Sequence, residues 1–345
     1  MKNIHMTKLL VVFLGGMLAV SGCSSTGSTA ETAKETSTAS APAEGQWPRT
    51  VTIGSSDVKI AAAPKRIVAL STETTDLIIE LGGSDRLVGV SKGSQTQGTG
   101  NDVEKATAVK AAFRADGKID PEQVLALSPD LVVLTKRQDA DDALMTALKT
   151  AGVTVAAFPP AAFASLEAVA DSTKTLGKVL GEEDKAASIV DNMTKRSSAV
   201  DKAVASVKES PRTLALMSRG PQHMIMSQST ATMALVKRAG GTSIAAEKGW
   251  RQSVPVNPEL LVSLKPDVIL VQDFEGEGLA PFKELLDNPA LADIPAIAGH
   301  KVYLIAAQTT SGTSGAHLAE GFAQIAQLLH PQLASTLGAS VPSGK

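Results

Sequence analysis

One cysteine, Cys23, serves all 345 residues, so no disulfide can close within this chain. Exported proteins normally use cysteines in pairs, which gives a lone one near the N-terminus another use. Aromatic residues are 3% of the chain, with two tryptophans and one tyrosine, too few for the stacking platforms that bind single-stranded nucleic acid. The formal net charge is −2, and loss of Lys2 and Lys8 with a leader would make it −4. Neither value gives the basic footprint of a nucleic-acid binder. There is no Walker loop and no H-E-x-x-H motif. Gly312-Thr313-Ser314-Gly315-Ala316 misses the nucleophile-elbow pattern at its last position. Beyond the leader only His223, His300, His317 and His330 remain, too scattered for a site that takes a bare zinc or manganese ion. An enzyme therefore finds no support, and no cofactor is expected.

One long apolar run exists, Leu9 to Val20, preceded by Lys2 and Lys8. It is too short to span a bilayer as a stable helix but suits the core of a signal peptide. It ends in Val20-Ser21-Gly22-Cys23, which resembles the bacterial lipobox, with residues 1–22 as the signal peptide and Cys23 as the lipidation site. The alternative is an ordinary cleaved signal with an incidental cysteine. Residues 23–47 are mostly Ser, Thr, Ala, Glu and Gly, a flexible linker behind a membrane anchor. The folded part is expected to comprise a first lobe at 48–180, a connecting helix at 181–210 and a second lobe at 211–337.

A repeat supports two similar lobes. Residues 119–134 read IDPEQVLALSPDLVVL and residues 256–271 read VNPELLVSLKPDVILV. In each, Asp120 or Asn257 is a helix N-cap, and Pro121 or Pro258 sits at the first helical position, where no N–H is needed. Glu122 and Glu259 follow in the first turn, where the helix dipole favours an anion. Pro129 and Pro266 stop the helix, and Leu131–Leu134 and Val268–Val271 read as fully buried strands. Further strands are expected at Arg66–Leu70, Leu87–Val90, Val153–Ala157, Thr213–Met217 and Val302–Ile305. The stretch from Glu182 to about Lys208 repeats apolar residues by threes and fours (Ala186, Ile189, Val190, Met193, Val200, Val204, Val207), with Ser197 the lapse. The expected fold is α/β, two lobes each with a mostly parallel sheet covered by helices, joined by one long rigid helix.

Several segments resemble the helical-backbone class of periplasmic-type binding proteins, which serve ABC importers of iron chelates, haemin and cobalamin. Pro64-Lys65-Arg66-Ile67-Val68-Ala69-Leu70 is similar to that family's first strand, and Glu80-Leu81-Gly82 with Asp85-Arg86-Leu87-Val88-Gly89-Val90 to its next segment. Pro289 through Val302-Tyr303 matches a third. Within the family the second lobe looks most like the haemin branch, through Leu216–Gly220, His223–Met226, Thr230 through Ala239-Gly240-Gly241, and Gly249-Trp250-Arg251. It departs from that branch at 110–118, where haemin binders commonly present a tyrosine and this chain has none; its only tyrosine, Tyr303, falls in an expected strand. The resemblance implies a monomer that captures its ligand between the lobes and delivers it to a permease dimer with a cytoplasmic ATPase. It also implies that Glu122 and Glu259, one per lobe, dock on the permease; the plainer reading is that both complement a helix N-terminus.

Ligands of such sheets sit beyond the carboxyl ends of the strands. That selects Ser71, Thr72, Ser91, Lys92, Phe113 and Arg114 in the first lobe. In the second it selects Arg219, His223, Met224, Met226, Trp250, Arg251 and the loop Gln308-Thr309-Thr310. His223 is the candidate ligand of haem iron, with Met224 or Met226 as softer alternatives, or else a polar residue at a hairpin tip. Arg114, Arg219 and Arg251 suit the acidic groups of haem or of a ferric siderophore, or are solvated charges. Trp250 suits stacking on a macrocycle or plain packing. Haem is the preferred ligand, a ferric siderophore the alternative and cobalamin a third; a structural or adhesive lipoprotein is the reading from a different class.

Overall fold

The computed structural model describes residues 45–338 except 115–117, 138–139, 220–221 and 275. The signal peptide, Cys23 and most of the linker lie outside the described residues, as does the side chain of Arg219. The chain enters through a hairpin, β1 (Arg49–Ile53) and β2 (Ser56–Ile60). Val51 and Ile53 alternate inward from β1 into the core, while Arg49 pairs with Glu183 and donates to the Lys178 carbonyl at 2.8 Å. The hairpin is thereby pinned to the start of the connecting helix.

The first sheet consists of β3 (Ile67–Ala69), β4 (Leu87–Ser91), β5 (Ala112–Phe113), β6 (Leu131–Thr135) and β7 (Thr154–Phe158). All are parallel, in the order β5-β4-β3-β6-β7. The second consists of β8 (Arg212–Arg219), β9 (Gln222–Ile225), β10 (Thr242–Ser243), β11 (Val254–Pro255), β12 (Val268–Asp273) and β13 (Val302–Ala306). Its order is β11-β9-β8-β12-β13, with β10 beside β8. Here β8, β10, β12 and β13 run parallel, and β9 is antiparallel to both its neighbours, β8 and β11. Helices cover these sheets, which is why β6 is buried throughout and β12 reads as an unbroken apolar run up to Gln272. The α/β architecture is as expected from the sequence. Strand β8 runs two residues beyond the expected Met217 because it continues into the hairpin with β9.

The repeat does more than cap a helix. Asp120 accepts from the Glu122 N–H at 2.9 Å and Asn257 from the Leu260 N–H at 2.8 Å, as N-caps should. The acid of each Pro-Asp then ties the repeat to the first strand of its own lobe. Asp130 accepts from the Lys65 and Arg66 N–H groups (2.8 and 3.1 Å), and Asp267 from that of Arg212 (2.8 Å). Arg66 and Arg212 in turn donate to the carbonyls that close each helix, Leu127 and Ser128 in one lobe, Leu264 and Lys265 in the other. The matched clamps explain why Pro-Asp recurs in both copies.

The connecting helix is Glu183–Val204, shorter than expected at its C-terminal end, where Ser206 and Val207 turn back on Ala203 and Val204 ahead of Pro211. Its buried face holds Ala186, Val190, Met193 and Val200 against helix Leu166–Leu180 of the first lobe and helix Leu318–Leu329 of the second. Ser197, the lapse in the pattern, is buried with them and donates its hydroxyl to the Met193 carbonyl at 2.6 Å, so its polarity is satisfied within the helix. Among the described residues no helix is long and apolar enough to cross a membrane.

Candidate functional site

In the first sheet the connections leave β3 in opposite directions, to β4 on one side and eventually to β6 on the other. A crevice opens at the carboxyl ends of two such strands, the usual ligand position of an open parallel sheet. The second sheet reverses likewise between β8 and β12. Both crevices are polar and tightly bonded.

Ser71-Thr72-Glu73-Thr74-Thr75-Asp76 follows β3 and enters helix Thr72–Glu80, and all six residues are buried. Such burial is costly unless hydrogen bonds or charges compensate, and here most of it is compensated. The Ser71 hydroxyl accepts from the Thr135 N–H at 2.7 Å instead of capping its own helix. The Thr72 and Ser91 hydroxyls lie 3.1 Å apart, and Thr75 donates to the Ala69 carbonyl. Glu73, 1% exposed, takes Arg137 at 2.6 Å. Among the described residues, Asp76 Oδ1 and Thr135 Oγ1 find no hydrogen-bond partner. In the second lobe the buried Gln272 amide donates to the hydroxyls of Thr232 (3.0 Å) and Thr310 (2.7 Å), tying the end of β12 to 308–310, which form the short helix Ala307–Thr310 rather than the expected loop.

The two sets of strand-end loops meet. The Thr99 hydroxyl donates to the Phe274 carbonyl at 2.7 Å, Gln308 donates to the Gly100 carbonyl at 2.6 Å, and the Asn101 amide donates to the Ser314 carbonyl at 3.1 Å. Gly100 is required for this course, since a Cβ there would lie 2.1 Å from the Ser94 carbonyl oxygen. The Asn101 N–H donates to Asp76 Oδ2 at 2.9 Å, so a buried acid of the first lobe anchors the segment that touches the second.

Burial pushes the Asp76 carboxyl from its ordinary 3.8 up to about 6; the Ser94 hydroxyl and Asn101 N–H pull it back, Glu73 adds a little and His317 subtracts a little. The folded state therefore holds this proton more tightly than the unfolded chain does. Its stabilising effect is complete below the unfolded value and is lost as pH rises through about 6. The gap is about two pH units, worth on the order of 3 kcal/mol at ~1.36 kcal/mol per unit. Relative to wild type, Asp76→Asn is expected to gain stability by that order between pH 4 and pH 8, as read by denaturant unfolding. Parallel wild-type and variant stabilities across that range would contradict it.

The residues expected to meet a ligand fall into several groups. Phe113 packs in the first lobe's core, while Arg114 and Lys92 are exposed. His223 is half-buried at the β8–β9 hairpin, its ring 4.7 Å from that of Phe282 and its Nδ1 3.5 Å from the Ser218 hydroxyl, the outer limit of a hydrogen bond. Met224 and Met226 belong to the buried core, so an iron-ligating role would require them to leave it. Trp250 packs beside the second core cluster with its backbone bonded to Ala245 and Gln228, and Arg251 next to it is exposed. Arg219 ends β8, with its side chain outside the described atoms. Of the other histidines, His330 is buried and bonded to the Ala239 carbonyl at 2.8 Å, His300 sits in a turn with φ 53°, and His317 precedes helix Leu318–Leu329 with Glu320 at 3.4 Å. Glu122 and Glu259 are both exposed in the first turns of their helices. Among the described residues no three His, Cys, Asp or Glu side chains converge to hold a metal ion.

Glu73 and Arg137 were not singled out from the sequence. The available signal was the polar run 71–76 lodged between an apolar strand and the apolar half of a helix, which only a site or a bonded core can accommodate.

Comparison with known proteins bears on this arrangement. An uncharacterized ABC transporter substrate-binding lipoprotein of Bacillus subtilis (strain 168), YvrC, is 28% identical over 279 residues, covering 80% of this chain and 83% of that protein. A cobalamin-binding protein of Halobacterium salinarum is 29% identical over 215 residues, 62% of this chain and 55% of its own length. A periplasmic heme binding protein of Pseudomonas aeruginosa superposes with a TM-score of 0.64 at 25% identity, over 78% of this chain and 93% of that one. The family model described as periplasmic binding protein matches residues 67–309, which takes in both sheets and the crevices at their carboxyl ends, and the chain belongs to that family.

Proposed function

We propose that this chain is the extracytoplasmic substrate-binding lipoprotein of an ABC importer. It captures haem between its two lobes and delivers it to a permease dimer driven by a cytoplasmic ATPase. The family binds solutes and does not transform them, so no catalytic group is assigned. In this reading Cys23 carries the lipid, Glu122 and Glu259 register the two lobes on the permease, and the chain acts as a monomer.

The observation that carries the haem reading is His223. It is held against Phe282 at the carboxyl end of β8, with the Ser218 hydroxyl nearest to Nδ1. With Nδ1 turned towards Ser218, Nε2 is the nitrogen that would meet iron. The likeness to a heme binding protein at 25% identity supports the same ligand. A ferric siderophore is the second reading, favoured by the buried hydroxyl-rich floor 71–76 and by the absence of a tyrosine from 110–118.

The two ligands predict different mutants. A siderophore already fills the coordination of its iron and needs only charge and shape from the protein. With haem, His223→Ala should shift the Soret band and weaken binding, and loss of Arg114 or Arg251 should cost about 1–3 kcal/mol through a charge-assisted bond. With a siderophore, His223→Ala should be silent while the arginine losses persist. Absorbance titration of these variants decides between them; a silent His223, Met224 and Met226 series would overturn the haem reading.

A further inference from the structure

We propose that Arg137, held by the buried carboxylate of Glu73, is a specificity-determining residue that recognises a carboxylate on the transported ligand. The inference deepens the haem reading above and rests on it for the choice of ligand.

Three observations carry it. The first is place: Glu73 follows β3 and Arg137 follows β6, the two strands between which the first sheet reverses direction. Their side chains meet across that crevice at 2.6 Å, alongside the Thr135–Ser71 bond at 2.7 Å. The second is asymmetry of burial. Glu73 is 1% exposed and Arg137 is 48% exposed, so the acid is committed to the fold while much of the guanidinium faces water. A guanidinium carries five N–H donors in a rigid fork, and one nitrogen spent on Glu73 leaves donors for a second, bidentate carboxylate. The third is fixation. The Arg137 N–H donates to Asp141 at 2.7 Å, so backbone and side chain are both tied. A buried carboxylate that lost its cation would be left uncompensated, and this keeps the guanidinium at the crevice. The floor around the pair, Ser71, Thr72, Ser91 and Thr135, is buried and polar, and Thr135 Oγ1 has no partner.

The full chain is titrated with iron protoporphyrin IX and with its dimethyl ester, whose two carboxylates are masked, by Soret absorbance and tryptophan quenching. Wild type should prefer the free acid by roughly tenfold or more, the scale of one charge-assisted bond. Arg137→Gln should reduce that preference about tenfold by weakening only the free acid, and Arg137→Lys should restore part of it. Because Arg137→Gln strands a buried acid, the double variant Glu73→Gln/Arg137→Gln serves as the control for folding and should show the same reduced preference. Variants that keep the wild-type preference overturn the inference while leaving the haem reading intact. If wild type binds neither porphyrin, the haem reading falls. The same variants are then tested on ferric citrate and on a neutral ferric trihydroxamate. Arg137-dependent preference for ferric citrate supports the inference, and equal or absent binding of the two overturns it.

Discussion

Charge reversal at Glu122 or Glu259, to Lys, is expected to abolish uptake while leaving ligand affinity unchanged. Both residues are exposed, one on each lobe, in first-turn positions that the repeat makes equivalent. Two competing roles can be separated by size. As a complement to the helix dipole, an exposed first-turn acid contributes about 0.3–1 kcal/mol, too little to unfold a lobe. As one half of an ion pair desolvated in a permease interface, it contributes on the order of 2–5 kcal/mol, roughly 30- to 5,000-fold in complex stability. The N-caps Asp120 and Asn257 remain to hold the helices in either variant. Uptake into cells and equilibrium binding to purified protein, measured side by side, give the two readouts. Equal loss of both would put these acids on the ligand rather than on the permease, and undiminished uptake would leave them with the dipole role alone.

Cys23→Ser is expected to move the protein from the membrane to the soluble or secreted fraction with its ligand affinity intact. Buried acyl chains contribute about 0.8 kcal/mol per methylene, so a doubly acylated cysteine is in effect a permanent anchor, and its loss is all-or-none. Nothing else among the described residues offers a spanning helix. Detergent phase partitioning reads the outcome directly. Persistence of the Ser variant in the detergent phase would show that the apolar run Leu9–Val20 stays attached and anchors the protein by itself.

The sequence disclosed the fold where local rules dominate. Proline at the first helical position, the Asp or Asn cap and the four-residue apolar strand recur in both copies of the repeat, and each found its structural counterpart. What it did not disclose depends on long-range topology. That Asp130 and Asp267 clamp the strands beginning near Arg66 and Arg212 requires knowing which strands are neighbours. The Glu73–Arg137 pair joins residues 64 positions apart and exists only because β6 lies beside β3. The loop carrying Thr99, Gly100 and Asn101 has no periodic pattern, yet it makes three of the hydrogen bonds between the lobes. Residue type alone also left burial open. Met224 and Met226 look like soft ligands in a hairpin but face the core, and Trp250 packs beside the second lobe's core cluster.

The protein is expected to bind an intact metal chelate, haem in preference to the others. Equilibrium dialysis of the purified protein against an equimolar mixture of haem, a ferric hydroxamate siderophore and cobalamin reads this choice from the absorption spectrum of the retained ligand. Haem should be retained at one per chain, with a Soret band that shifts in His223→Ala. Retention of none of the three, or of the siderophore or cobalamin ahead of haem, would rule that out.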